Sequence, residues 1–319
     1  MKLSMKAAST TPSGKSLSNP VSSISSQKIC TQLLAVIVVY ERDLNSVLVW
    51  PFLRHSLNTA PDNSSTTQSS GFSLNNVLIY DNSPHARATP TEQLSGCLYV
   101  HDAGNGGTAA AYTHAIQLAT TRGIEWLLLL DQDTTLPCGF IDAASTALLK
   151  GMRKPSALVP WVFQGDHPVS PARVTAAGSF IPLQYDALSH EMSNLTAISS
   201  GCLLYVPDLL QMPIPKGLWL DYVDHWIFGQ FRKRRLLVRV FDSSLQHNLS
   251  LFSLKSLTLS RLTSILNGEM LFLSTLGIKA RLVFPFRLAA RVMHYAWHRP
   301  QLATHTLGWI VYRILLRRR

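Results

Sequence analysis

The sequence predicts an α/β fold on a mainly parallel central sheet, followed by a helical appendage at the C-terminal end. Three observations predict it. Short apolar runs alternate with helical stretches from about Leu33 onward. One of them, Leu127-Leu128-Leu129-Leu130, has the continuous apolar character of a strand covered on both faces. Beyond Leu251 the pattern turns helical to Arg319.

Taken in order, residues 1–30 are rich in Ser, lack apolar periodicity and read as a disordered tail. The first strand runs through Ala35-Val36-Ile37-Val38-Val39-Tyr40, and a helix is expected over Asn45 to Leu57. Asp62 to Ser70 is a polar loop or insertion. Val77-Leu78-Ile79-Tyr80 is the second strand and Cys97-Leu98-Tyr99-Val100 the third. Thr108 to Thr120 is helical, with alanines that permit close packing. The leucine run follows, and the stretch from Ala157 to Tyr205 is β-like. A helix reaches Arg234, Leu236 to Phe241 is a strand, and the later helices are expected to break at Pro285 and Pro300. These limits give a tail (1–30), an α/β domain (31–250) and a basic amphipathic region (251–319).

The 319 residues are 46% hydrophobic, enough for a sizeable core, but no apolar run approaches the ~18 residues of a membrane span. The first thirty residues lack the apolar core of a signal peptide, and Cys30, Cys97, Cys138 and Cys202 show no metal-binding spacing. They read as reduced thiols of a cytoplasmic protein. The net charge of +11 is concentrated: Leu251 to Arg319 holds eleven Lys/Arg against Glu269 alone. Basic residues interleaved with apolar ones, as in Ala280-Arg281-Leu282-Val283-Phe284-Pro285-Phe286-Arg287, suit the surface of an anionic membrane. A solvated helical face fits them as well. No nucleic-acid-binding motif is present, so nucleic acid is not expected as a partner.

The chemistry gathers at strand tips, where open α/β sheets bind ligands. Asp131 and Asp133 flank Gln132, so on extended chain both carboxylates leave one face and make a hard-oxygen site for Mg²⁺ or Mn²⁺ carrying a diphosphate. Glu41 and Asp81 stand at the first two strand ends, where an acid can accept from a nucleobase imide or a ribose hydroxyl. Asp81-Asn82-Ser83 is equally a good turn former. Gly104-Asn105-Gly106-Gly107-Thr108-Ala109 opens a helix and matches G-x-G-x-x-A, although it follows the third strand; a plain helix cap is the other reading. Asp221 and Asp224 lie among Trp219, Tyr222 and Trp226, a setting that raises a carboxylate's proton affinity for general-base work, and either also serves a helix start. His247, after the last strand, is a candidate metal ligand.

In this order the motifs resemble family 2 glycosyltransferases of the GT-A fold: Tyr40-Glu41, Tyr80-Asp81-Asn82-Ser83, Asn105-Gly106-Gly107, Asp131-Gln132-Asp133, Ser200-Gly201, Asp221-Tyr222-Val223-Asp224 and Gln246-His247. The pairing of Asp-Gln-Asp with Asp-Tyr-Val-Asp is similar to bacterial rhamnosyltransferase-like members. The resemblance spans residues 33–250. It implies an inverting, metal-dependent transfer of rhamnose or another hexose from a nucleotide-diphosphate donor, dTDP-rhamnose being one candidate. The acceptor would be a glycan or a lipid-linked oligosaccharide in surface polysaccharide assembly. It further implies that Tyr40, Glu41, Asp81, Asn82, Asn105, Gly106 and Asp131 bind the donor. Asp133, Asp131 and His247 would hold Mg²⁺ or Mn²⁺, and Asp224 would be the catalytic base. Gly201, Asp221, His225 and Trp226 are acceptor-side candidates. The expected location is the cytoplasm, peripheral to the membrane's inner face. Two other readings compete: an NAD(P)-dependent oxidoreductase built on Gly104-x-Gly106-x-x-Ala109, and a catalytically inactive membrane-surface scaffold of the same fold.

Overall fold

A computed structural model describes residues 30–58, 71–87, 95–185, 194–246 and 257–316. In chain order its strands are β1 (Cys30–Val39), β2 (Gly71–Asp81), β3 (Cys97–His101), β4 (Trp126–Asp131), β5 (Ala157–Gln164), β6 (His167–Ser170), β7 (Ala172–Val174), β8 (Phe180–Pro182), β9 (Leu195–Thr196), β10 (Leu203–Tyr205) and β11 (Val238–Gln246). Its α-helices are α1 (Trp50–Asn58), α2 (Gly107–Arg122), α3 (Phe140–Leu149), α4 (Val206–Leu210), α5 (Val223–Arg234), α6 (Leu259–Leu273), α7 (Ile278–His298) and α8 (Pro300–Leu316).

The main sheet runs β11-β5-β10-β4-β1-β2-β3, with β6 beside β5; β7, β8 and β9 form a second, small sheet. β3, β2, β1 and β4 are mutually parallel, β11 is parallel to β5, and β10 is antiparallel to both its neighbours. The expected mainly parallel α/β sheet with C-terminal helices is therefore present.

Period-two alternation explains why the central strands read as unbroken apolar runs. Leu34, Val36, Leu127 and Leu129 point into a core shared with α2 and α5. Leu33, Ala35, Ile37, Leu128 and Leu130 point into a second core shared with α1 and α3. Helices cover both faces, so neither face needs polar residues.

Two expectations about helices need correction. The helix expected from Asn45 is a 3-10 turn at Leu44–Ser46 followed by α1 from Trp50. Pro51 has no N–H and its ring would clash with the carbonyl four residues back, so it fits only in a first turn. The break expected at Pro285 is absent, because α7 continues through it. Pro285 is exposed, on the side where water can satisfy the carbonyl that the ring leaves without a donor. The real interruption lies at residues 274–277, and Pro300 starts α8 as expected. The tail through residue 29, the polar insertion from Asp62 and His247 lie outside the described residues.

The three last helices share a core of Leu262, Leu266, Phe284, Leu288, Tyr295 and Leu302. An acid is buried beside it. Glu269 is 2% exposed and receives two hydrogen bonds from the Arg291 guanidinium, at 2.7 and 3.2 Å, while Arg287 lies 3.6 Å away. Arg287 also donates to the Gly178 carbonyl at 3.3 Å, which ties α7 to the turn between β7 and β8. Removing one partner of a buried pair strands the other. Glu269→Ala should lower unfolding stability by about 3 kcal/mol, the lower end for such pairs because Arg291 keeps some contact with water. Glu269→Gln, which can still accept a hydrogen bond, should lose less. Urea unfolding followed by circular dichroism measures both; equal losses would contradict the ion-pair account.

Candidate active site

The parallel strands bring their carboxyl ends to one edge. Register aligns Asp131 with Val38, Val39 with Asp81, and Asp81 with His101, so the tips of β4, β1, β2 and β3 form one row. Two strand spacings separate the Asp131 and Asp81 backbones, about 10 Å. The chain leaves β1 toward β2 and β3 and returns on the other side of β1 at β4. Such a reversal of strand order opens a crevice at the tips, the usual ligand site of an open α/β sheet.

Gln132 fastens the two walls of this crevice. Its Oε1 accepts from the Tyr40 N–H at 2.9 Å, and its carbonyl accepts from the Leu48 N–H at 3.2 Å. The strand stops at Asp131, and residues 131–134 form a turn closed by Thr134 N–H to Asp131 O at 3.1 Å. The expectation that Asp131 and Asp133 share a face of extended chain is therefore corrected: the turn, not the strand pleat, sets their relation. Thr134 Oγ1 also accepts from the Asp131 N–H at 3.0 Å and bonds Ser200 Oγ at 2.5 Å, which anchors the turn to the segment before β10.

The β2 tip is organised from within. Asp81 is fully buried, and its carboxylate accepts from the Ser83 N–H at 2.9 Å and the Tyr99 hydroxyl at 2.5 Å. Burial pushes this carboxyl up, but those hydrogen bonds outweigh it and hold the group below the usual 3.8. Asn82 Oδ1 accepts from the Gly107 N–H at 3.1 Å, and Ser83 Oγ from the Glu41 N–H at 2.8 Å. Glu41 itself sits at φ 49°, a left-handed bend that ends β1.

At the β3 tip Asp102 accepts from the Gly104 and Gly106 N–H groups at 3.0 and 2.9 Å and from the Tyr80 hydroxyl at 2.9 Å. The amides of the glycine loop thus point to Asp102 and Asn82. The loop follows β3 near the sheet edge, away from the β1 turn where a dinucleotide fingerprint is used.

The loop before α5 docks on the same glycines. Trp219 Nε1 donates to Asn105 O at 2.6 Å, and the Ala109 N–H donates to Trp219 O at 3.0 Å. Gly107 has φ 71°, and a Cβ there would lie 2.5 Å from Trp219 O, so only glycine fits this contact. Asp224 follows this loop, in the first turn of α5. Two further groups, Tyr112 of α2 and Cys202, are fully buried. Burial drives both groups far above their ordinary pKa values, and the charges of Asp131 and Asp224 both add to the rise. Asp131 and Asp224, far apart in sequence, thus both act electrostatically on one buried phenol.

No protein-family model and no curated sequence matches the chain. Among solved structures it is similar to GalNAc-T7 with UDP, GalNAc and Mn²⁺, at 11% identity over 69% of this chain and 44% of that one, with a TM-score of 0.46. It is also similar to TarS of S. aureus: to residues 1–349 at 11% identity over 68% of this chain and 60% of that one, TM-score 0.40. A longer TarS structure aligns at 13% identity over 69% and 37%, TM-score 0.41. The chain spans less than two thirds of the length of each of these proteins.

Among the described residues no group of three or more His, Cys, Asp or Glu side chains is arranged to hold a metal ion. Mg²⁺ commonly needs only one or two carboxylates, its other positions being filled by water and substrate phosphate. Two carboxylates on one tight turn at a strand tip, Asp131 and Asp133, fit that mode. His247 lies outside the described residues.

The acceptor-side candidates separate. Asp221 is 9% exposed and faces α6, with Arg261 at 3.6 Å; burial raises its carboxyl, and Arg261 partly offsets the rise. Trp226 is buried in the core. Gly201 has φ 77°, and a Cβ there would meet Leu245 at 2.4 Å, so it serves packing between β10 and β11. His225 accepts or donates through Nδ1 with Thr196 Oγ1 at 2.8 Å and stacks on Phe180 at 4.3 Å. Asp102, Ser83, Gln132 and Tyr112 were missed as site residues. Asp102 had a signal, since an acid followed by Gly104 and Gly106 is an Asx turn in waiting.

Asp102, like Asp81, is held below the usual 3.8: burial raises it, but the Gly106, Tyr80 and Gly104 hydrogen bonds prevail. A carboxyl with a depressed folded pKa contributes stability that is present above about pH 4 and is lost as pH falls through its folded value. Asp102→Asn should therefore melt below wild type at pH 7, and the gap should shrink steadily below pH 4. A gap that stays constant between pH 7 and pH 3 would contradict the assignment.

Proposed function

We propose that the protein is an inverting, divalent-metal-dependent glycosyltransferase of the GT-A fold, akin to the rhamnosyltransferase-like family 2 enzymes. It would move rhamnose or another hexose from a nucleotide-diphosphate donor to a glycan or lipid-linked acceptor in surface polysaccharide assembly. One observation supports this reading above the others: the turn at the switch point of the sheet carries two acids, and the charges of Asp131 and Asp224 both act on the buried Tyr112.

In this reading Tyr40, Glu41, Asp81, Asn82, Asn105 and Gly106 form the donor side of the crevice. Asp81 acts there mainly by shaping the β2 tip, since its carboxylate is already hydrogen-bonded. Asp131 and Asp133 would hold Mg²⁺ or Mn²⁺, which would supply charge stabilisation to the departing diphosphate when bound. Asp224 takes the proton from the acceptor hydroxyl as its oxygen attacks the anomeric carbon. The bond from that carbon to the diphosphate oxygen breaks on the opposite face. Holding both substrates in one crevice removes part of the barrier by positioning alone. The α/β part (31–250) carries the chemistry, the basic region (251–319) follows it, and the enzyme works in the cytoplasm.

A general base contributes roughly 100- to 10,000-fold to rate. Asp224→Asn should lower kcat at least ~100-fold with donor affinity unchanged, because Asn keeps the shape and the hydrogen bond to the His225 N–H but cannot take a proton. Asp133→Ala should abolish the response of transfer to Mn²⁺. Initial rates over a panel of nucleotide-sugars, with calorimetric titration of the nucleotide diphosphate, read out both. Near-normal transfer by the Asp224→Asn enzyme would overturn the proposal.

A further inference from the structure

α7 carries two opposed apolar faces, and only one is covered. Ala280, Phe284, Leu288 and Tyr295 are buried against α6 and α8. At 3.6 residues per turn, Ile278, Leu282, Phe286, Ala289, Met293 and Trp297 fall within an arc of about 100° on the other side. All six are exposed; Phe286 is 77% and Trp297 86% open. α8, packed against α7, exposes Leu307, Val311 and Leu315 as well. A continuous apolar stripe of this size on a helix 21 residues long marks an interaction surface rather than scattered exposure.

The charges around the stripe indicate what covers it. Residues 257–316 hold seven Lys/Arg and a single acid, Glu269, which is buried and paired to Arg291. The charge this region presents to solvent is therefore wholly basic. Lys279 and Arg281 are exposed in the first turn of α7, beside Ile278 and Leu282. Arg313 stands near the end of α8, and Arg317, Arg318 and Arg319 follow in sequence. A second copy of this surface would bring like charges together, whereas anionic headgroups would neutralise them. No helix of the described residues is long and apolar enough to cross a membrane. An apolar stripe flanked by cations is the pattern of a helix lying in the interface plane.

We propose that α7, with the adjoining face of α8, lies in the surface of an anionic membrane, with Leu282, Phe286 and Trp297 inserted among the acyl chains and Lys279 and Arg281 at the headgroups. The surface is separate from the strand-tip crevice and does not depend on the chemistry performed there.

The test is co-sedimentation of the full chain with vesicles of phosphatidylcholine, with and without about one third phosphatidylserine. The expected result is binding to the anionic vesicles that weakens with salt, and much weaker binding to the neutral ones. Phe286→Glu combined with Trp297→Glu should lower that binding at least ~10-fold with the melting temperature unchanged, since both side chains are in solvent. Lys279→Glu with Arg281→Glu should weaken it and flatten its salt dependence. Absence of wild-type binding to anionic vesicles, or equal binding by the Phe286→Glu, Trp297→Glu protein, would overturn the proposal. So would a wild-type dimer in sedimentation velocity that the same double substitution dissociates, because the stripe would then be a subunit contact.

Discussion

The reversal of strand order between β1 and β4 is the constraint on which the site depends. The chain builds β1, β2 and β3 outward and restarts on the far side of β1. The loops after β1 and β4 then diverge, and the opening between them is unavoidable in a parallel sheet. Several hydrogen bonds stiffen the rim of that opening. Gln132 joins the β1 and β4 loops, Ser83 joins β1 to β2, and Asn82 joins β2 to the start of α2. These hydrogen bonds turn several irregular loops into one surface, so the side chains they carry are held in place before any ligand arrives.

Antiparallel β10 makes the second contribution. It returns between β4 and β5 and delivers Ser200 and Cys202 to the β4 tip from the opposite direction. Gly201 is what lets the chain enter so tightly, with its N–H donating to Leu129 O at 2.8 Å. Trp219 then fastens the α5 loop to the glycines at the start of α2. The C-terminal helices continue the same arrangement: Arg261 of α6 pairs with Asp221, three residues before Asp224, and Arg287 of α7 reaches the Gly178 carbonyl. The helical region is thus packed behind the loop that carries the candidate base.

Much of this was legible in the chain because strand cores and helix ends obey local rules. Leu127 to Leu130 and Val77 to Tyr80 announce buried strands by composition alone, and the glycine-opened α2 begins where its loop chemistry requires. What escaped was non-local or balanced between local rules. Pro285 breaks a helix in the interior but is tolerated on an exposed face, and exposure is a tertiary property. Asp131 and Asp133 were placed on one pleated face, yet Thr134 and Ser200 curl the chain into a turn, a contact across 66 residues. Asp221 and Asp224 look equivalent in sequence, yet Arg261 of α6 pairs with the first. Tyr112 gave no signal, since its significance lies in three segments meeting around one buried hydroxyl.

The proposed chemistry requires that the crevice between β1 and β4 bind a nucleoside diphosphate through a divalent ion held by Asp131 and Asp133. The most direct measurement is thermal denaturation of the wild-type chain with a panel of nucleoside diphosphates, each with and without Mn²⁺. The expected result is a rise in melting temperature for at least one nucleotide, present only when Mn²⁺ accompanies it. Stabilisation by NAD(P) without metal, or no shift with any nucleotide in either condition, would contradict it.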